Sequence, residues 1–189
     1  GCSPETGEEL VSDVLWIPSM ELSAADLADL LNACGRMDHE GLGVALSMGD
    51  RAALQEANGL RKEYSSKILA RLMAIEEDGA EQMQHIQYFE APDPSLAGAQ
   101  CGLAMQYILD QGKPTIARSK VGGKVKVSSR GTKFLVSKGL DLSSGLKRSA
   151  EKVGGIGGGH SVASGATIPA EKQAEFLAIL DEAVGKQLG

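Results

Sequence analysis

The sequence predicts an α/β protein: a mixed sheet flanked by helices, preceded by a helical segment and a long connector helix. Three observations predict it. Helical and strand periodicities alternate from residue 84 to the end, residues 1–80 are mainly helical, and one uninterrupted helical pattern joins the two. The 189 residues are 42% hydrophobic and 23% charged, enough for a packed core without disulfides.

Val14-Leu15-Trp16-Ile17 is an apolar run stopped by Pro18, suited to a short strand. Ser23, with Asp26 three residues on, caps a helix carrying Leu27, Leu30 and Leu31. Gly35, Gly41, Gly43 and Gly49 punctuate the next stretch, so Asp38-His39-Glu40 is expected in a loop; without a second acidic cluster it is no metal motif. From Arg51 to Asp78 apolar residues recur at three- and four-residue steps. A helix of that length spans about 42 Å, which suits a connector. The expected domains are therefore 1–49, the connector 50–80, and 81–189.

His85 to Phe89 has strand character, and Leu96 to Leu109 helical spacing through Ala99, Leu103, Tyr107 and Ile108. Pro114–Ser119 and Lys124–Arg130 are expected strands joined at Gly122-Gly123. Ser143 or Ser144 opens a short helix that Gly154 closes. A glycine-rich loop comes next, then a strand over Ser161–Ile168 and a last amphipathic helix with Phe176, Leu177, Leu180 and Val184.

Charge is informative by its location. The chain carries a net −6, yet residues 113–153 hold 11 bases and 2 acids, while residues 1–80 hold 15 acids and 6 bases. A basic segment in an acidic protein is a candidate anion or nucleic-acid surface; solvation of a sheet edge is the alternative. Strand alternation puts Val125 and Val127 on one face of Lys124–Arg130, and Lys124, Lys126, Ser128 and Arg130 on the other. Lysines as point charges, arginine as a planar fork and serine as a short donor suit phosphate, although a solvated strand face would show the same pattern. In Gly154-Gly155-Ile156-Gly157-Gly158-Gly159-His160, missing side chains let a ligand approach the main chain; a flexible linker is the competing explanation. The run is neither a dinucleotide fingerprint nor a P-loop. Cys2, Cys34 and Cys101 form no CxxC pair, and the expectation is a reduced protein with one exposed and two buried thiols. No apolar run is long enough for a membrane span, and no secretory leader is visible, so a cytoplasmic location is expected. A start at Gly1 suggests a piece of a longer protein.

Gly157-Gly158-Gly159-His160 followed by Ala163-Ser164-Gly165 resembles the GGGH-x-x-A-[AS]-G signature of the DHH-associated domain, found in DHH phosphoesterases including RecJ-like single-stranded-DNA exonucleases. Lys126-Val127-Ser128-Ser129-Arg130 resembles that domain's V-S-x-R strand, and Asn32-Ala33-Cys34-Gly35-Arg36 resembles the N-A-x-G-R segment that ends the RecJ-like catalytic lobe. The likeness covers residues 22–189 and is closest to the archaeal RecJ-like branch, which implies functions in DNA replication and repair. It implies a substrate-binding region of a metal-dependent phosphodiesterase acting on single-stranded DNA or short oligonucleotides. Lys126, Ser128, Arg130, Gly157, Gly158, Gly159, His160 and Ser164 would hold the nucleic acid, with Arg36 contributing from the first lobe. The Asp-rich and Asp-His-His motifs are absent from this sequence. No catalytic or metal-binding residue is therefore assigned, and two divalent ions, Mn or Mg, are expected in a missing lobe. Replication proteins are further expected partners. The alternatives are a non-catalytic replisome scaffold and a cyclic-dinucleotide or nanoRNA phosphodiesterase.

Overall fold

A computed structural model describes residues 14–189; Cys2 lies outside them. The chain divides into two units, residues 1–66 and 67–189. In the first, β1 (Trp16–Ile17) pairs antiparallel with β2 (Leu22–Ser23). Helix α1 (Ala24–Arg36) starts at Ser23, whose Oγ accepts the Asp26 N–H at 3.0 Å, satisfying one of the first-turn donors. Asp38, at φ +59°, turns the chain into α2 (Glu40–Ser47). This corrects the expected loop. Gly41 and Gly43 lie inside α2, and a Cβ at Gly43 would already touch the Cys34 Cβ at 3.4 Å, so the glycine serves close helix packing. Met20, Leu30, Cys34, Leu46, Ala57 and Leu60 form this unit's core.

Helix α3 (Ala53–Asp78) starts in the first unit and ends in the second. The second unit continues with β3 (Glu81–Gln82), β4 (Gln87–Glu90), α4 (Ala97–Tyr107), β5 (Thr115–Val121), β6 (Lys124–Arg130), α5 (Lys133–Ser137), α6 (Leu142–Lys152), β7 (Ile156–Gly159), β8 (Ala163–Pro169) and α7 (Gln173–Leu188). Its six strands lie in the order β3-β4-β5-β6-β8-β7. Of the neighbouring strands only β4 and β5 pair parallel, joined by the crossover helix α4; β6 and β7, joined through α5 and α6, also run in the same direction, with the antiparallel β8 between them. One sheet face packs Val125, Val127, Ala166 and Ile168 against Leu146, Ala150, Phe176 and Leu180 of α6 and α7. The other face packs Ala117 and Phe89 against Ala97, Cys101 and Ala104 of α4 and Ile75 of α3. The fold is thus a mixed sheet flanked by helices.

Three local expectations change. The glycine run is an edge strand, not a loop, because its backbone completes a ladder with β8. Helix α6 opens at Asp141 rather than at a serine: the Asp141 carboxylate accepts the N–H groups of Ser143 at 3.0 Å and Ser144 at 3.3 Å, and a charged acceptor caps better here. Helix α5, capped by Thr132, is too short for periodicity to show. Among the described residues no helix is long and apolar enough to cross a membrane.

Asp181 of α7 is 9% exposed, and its carboxylate accepts the backbone N–H groups of His85 at 2.8 Å and Ile86 at 3.0 Å, tying the last helix to the start of the sheet. Asp181→Ala leaves both donors without their acceptor. Urea denaturation should show a loss of about 2–4 kcal/mol, from hydrogen bonds to a charged group together with stranded donors.

Candidate functional site

Strand β6 keeps the alternation that its sequence predicts. Val125, Val127 and Ser129 are buried beneath the helices, Lys124 and Lys126 are exposed, and Ser128 and Arg130 are half-buried. Register carries this second face across three strands. Ser128 sits opposite Gly165 of β8, which sits opposite Gly158 of β7; Lys126, Thr167 and Ile156 form the adjacent row. The result is a groove of about 550 Å³ floored by Gly158, Gly165 and Ser128, with Lys126 and Ile156 in its lining and Pro94 as part of one wall. The floor is nearly free of side chains. Gly158 has φ +153°, and a Cβ there would have no atom within 4 Å, so that position opens onto the groove. Gly157 also belongs to the lining, but its Cβ position faces the helix, 2.7 Å from the Leu146 carbonyl oxygen.

Arg130 lies beside this groove on a seat made by α4. A Cβ at Gly98 would fall 2.9 Å from Arg130 Nη2 and 3.9 Å from Ser128 Oγ, and one at Gly102 3.8 Å from Arg130 Nε. Arg130 Nη1 also donates to the Ser129 carbonyl at 2.8 Å. The guanidinium is therefore positioned by small residues and its own strand. Beneath it, the Cys101 thiol donates to the Thr115 carbonyl at 3.1 Å. Burial pushes that thiol up to about 12, against a smaller opposing pull from the Arg130 charge.

His160 is exposed in the turn between β7 and β8, its N–H donating to the Ala163 carbonyl at 2.9 Å. Gly159 holds the start of that turn at φ +147°. Ser164 is 5% exposed and turned to the helix side, where its Oγ donates to the His160 carbonyl at 2.8 Å; it fastens the turn. Arg36 ends α1 in the first unit. The structure thus brings together Lys126, Ser128, Gly157 and Gly158 around the groove, with Arg130 on its own strand and His160 at the hairpin tip.

Sequence reasoning missed Gly98, Gly102 and Cys101. The spacing through Ala99, Leu103 and Tyr107 picks the wrong face of α4: Ala97, Gln100, Cys101 and Ala104 are buried and Tyr107 is 71% exposed. The signal was a stripe of small residues, which close helix–sheet contact needs.

Among the described residues no three His, Cys, Asp or Glu side chains group to hold a metal ion, so the two divalent ions implied by the resemblance have no ligand set there.

Residues 85–186 match the DHHA1 domain. An uncharacterized protein of Methanocaldococcus jannaschii is 32% identical over 96% of this chain, and the chain spans 40% of that relative's length. Among solved structures, RecJ of Thermus thermophilus in complex with Mn2+ superposes with a TM-score of 0.66 at 19% identity, over 85% of this chain and 24% of that one. CDC45 of Entamoeba histolytica gives 0.60 at 10% identity, over 87% and 38%. A pGpG-specific phosphodiesterase of Vibrio cholerae gives 0.52 at 14%, over 86% and 59%. These likenesses agree in fold.

Two outcomes are expected from the Arg130 seat and the thiol below it. Gly98→Ala puts a methyl group against the guanidinium, so it should weaken any anion binding that depends on Arg130 to the level of Arg130→Ala, while circular dichroism shows the fold intact. The folded chain keeps the Cys101 proton that an unfolded chain releases near 9.0. Stability from this group is therefore full below pH 9 and falls as pH rises toward 12, and Cys101→Ala should flatten that decline in urea titrations.

Proposed function

The chain belongs to the DHHA1 domain family, and from that premise we propose that it is the substrate-binding region of a metal-dependent phosphodiesterase acting on single-stranded DNA or short oligonucleotides. The observation that carries this reading is the row Ser128–Gly165–Gly158, which makes a groove floor of backbone and one hydroxyl, edged by Lys126. A sugar–phosphate chain can lie directly on such a floor. Lys126 would act as a point charge on one phosphate, Ser128 as a short donor, and Arg130 as a positioned two-pronged donor. Ile156, 81% exposed, offers an apolar edge to a sugar or base. His160 at the hairpin tip is placed to stack on a base or bond a phosphate.

The charge pattern supports this assignment. Arg118 pairs with Glu81 at 3.3 Å and Lys120 approaches Glu90 at 3.9 Å, whereas Lys126 has no ion-pair partner among the described residues. Its charge is available to a ligand. The described residues hold and orient the strand; the hydrolytic ions and their ligands belong to the rest of the longer protein. Cleavage by that longer protein of an oligonucleotide that this chain binds would separate the proposal from a binding-only scaffold of the same fold.

The test is fluorescence anisotropy of a labelled thymidine oligonucleotide titrated with the 189-residue chain in a chelator at several salt concentrations. Affinity should fall linearly in log–log form with salt, and Lys126→Ala should reduce the slope by about 0.7, one single-strand phosphate contact. Arg130→Ala should weaken binding about tenfold or more, the loss expected for a charge-assisted contact of roughly 1.5–3 kcal/mol. Unchanged affinity in both variants would remove the groove from consideration.

A further inference from the structure

A second cavity, of about 400 Å³, lies between the end of α3 and the start of α4, with Arg71, Ala74, Pro92, Leu96 and Gln100 in its lining. Two polar atoms there are left over by the fold. Gln100 is 3% exposed and its Oε1 has no hydrogen-bond partner within the protein; the buried Nε of Arg71 has none either. Arg71 is held with its guanidinium carbon 5.6 Å from the centre of the Phe89 ring, which fixes it beside the cavity. A buried carboxamide acceptor without a donor is costly, and a ligand that supplies the donor relieves that cost. The ligand this lining suits has flat apolar faces for Leu96, Pro92 and Ala74 and a polar edge bearing both donors and acceptors. Nucleobases have that form.

The cavity adjoins the groove through one short loop. Pro94 belongs to the groove lining, while Pro92 and Asp93 belong to the cavity lining. A strand whose phosphates follow Lys126 and Ser128 would meet this loop directly. We propose that the cavity takes one base of the bound strand, adenine above the others, with the Gln100 carboxamide reading its edge. This rests on the nucleic-acid reading of the groove. Adenine is favoured because a glutamine carboxamide matches its adjacent amino donor and ring-nitrogen acceptor, and the terminal torsion of the amide is soft enough to present both atoms.

The experiment measures anisotropy of labelled thymidine oligonucleotides in which each position in turn carries adenine, guanine, cytosine or an abasic site, using the 189-residue chain. At one position adenine should bind at least about fivefold more tightly than the other bases or the abasic site, the lower end for one bidentate base contact. Gln100→Leu, of similar volume, should abolish that preference while keeping the affinity for plain thymidine strands. Ala74→Leu, which fills the cavity from α3 and leaves the Gln100 carboxamide in place, should abolish it too. Equal affinity for every base at every position, with binding still dependent on Lys126 and Arg130, would overturn the base pocket and leave the groove standing. A preference that survives both substitutions would also overturn it. Absence of binding to any oligonucleotide would overturn the groove reading and the pocket with it.

Discussion

The contact on which the rest of the site depends is the approach of β7 to the backbone of α6. At Gly157 a Cβ would lie 2.7 Å from the Leu146 carbonyl oxygen and 3.2 Å from the Ala150 Cβ, so the strand rests on the helix with no side chain between them. Any larger residue would lever this edge strand away from its support. Because pleated residues alternate, Gly158 faces the opposite way, where it is part of the groove floor. One run of glycines therefore answers two different demands. On the helix side the demand is space; on the groove side it is an uncovered main chain.

The same economy appears beneath Arg130. Small residues on α4 let the helix lie close to β5 and β6, as Cys101 shows by reaching the Thr115 carbonyl. The space they leave is filled by the arginine rather than by solvent. A guanidinium supported in this way loses less side-chain freedom when it meets a ligand than one waving from a surface. Close packing on this face and the fixed position of the guanidinium are consequences of one arrangement.

These two contacts also explain what the sequence could convey. The face of β6 was legible because large apolar and charged residues alternate in it, from Val125 through Arg130. The face of α4 was not, because Ala97, Cys101 and Ala104 are too small to register as a hydrophobic stripe beside Leu103 and Tyr107. Glycine has little strand preference of its own, so β7 is a strand only because β8 offers it a ladder, and that partner lies four residues further along. Gly41 and Gly43 misled in the same manner, since their helix is fixed by packing on α1 rather than by propensity. Residues suggested by resemblance separate by environment: His160 is exposed at the tip, whereas Ser164 serves the turn from inside.

The net charge of −6 sets a further condition on how such a chain can hold a polyanion. Attraction at a distance cannot supply the affinity, since at physiological salt screening acts over about 8 Å. What remains is contact. Within that radius the sign of the whole protein matters less than which cations are already spent, and Arg118 and Lys120 are engaged by Glu81 and Glu90. The groove side of β6 keeps its charge because its neighbours on β8 and β7 are Thr167, Gly165, Gly158 and Ile156, none of which is acidic. Binding on the proposed reading would therefore be local, resting on contacts at this uncovered floor rather than on the charge of the whole chain.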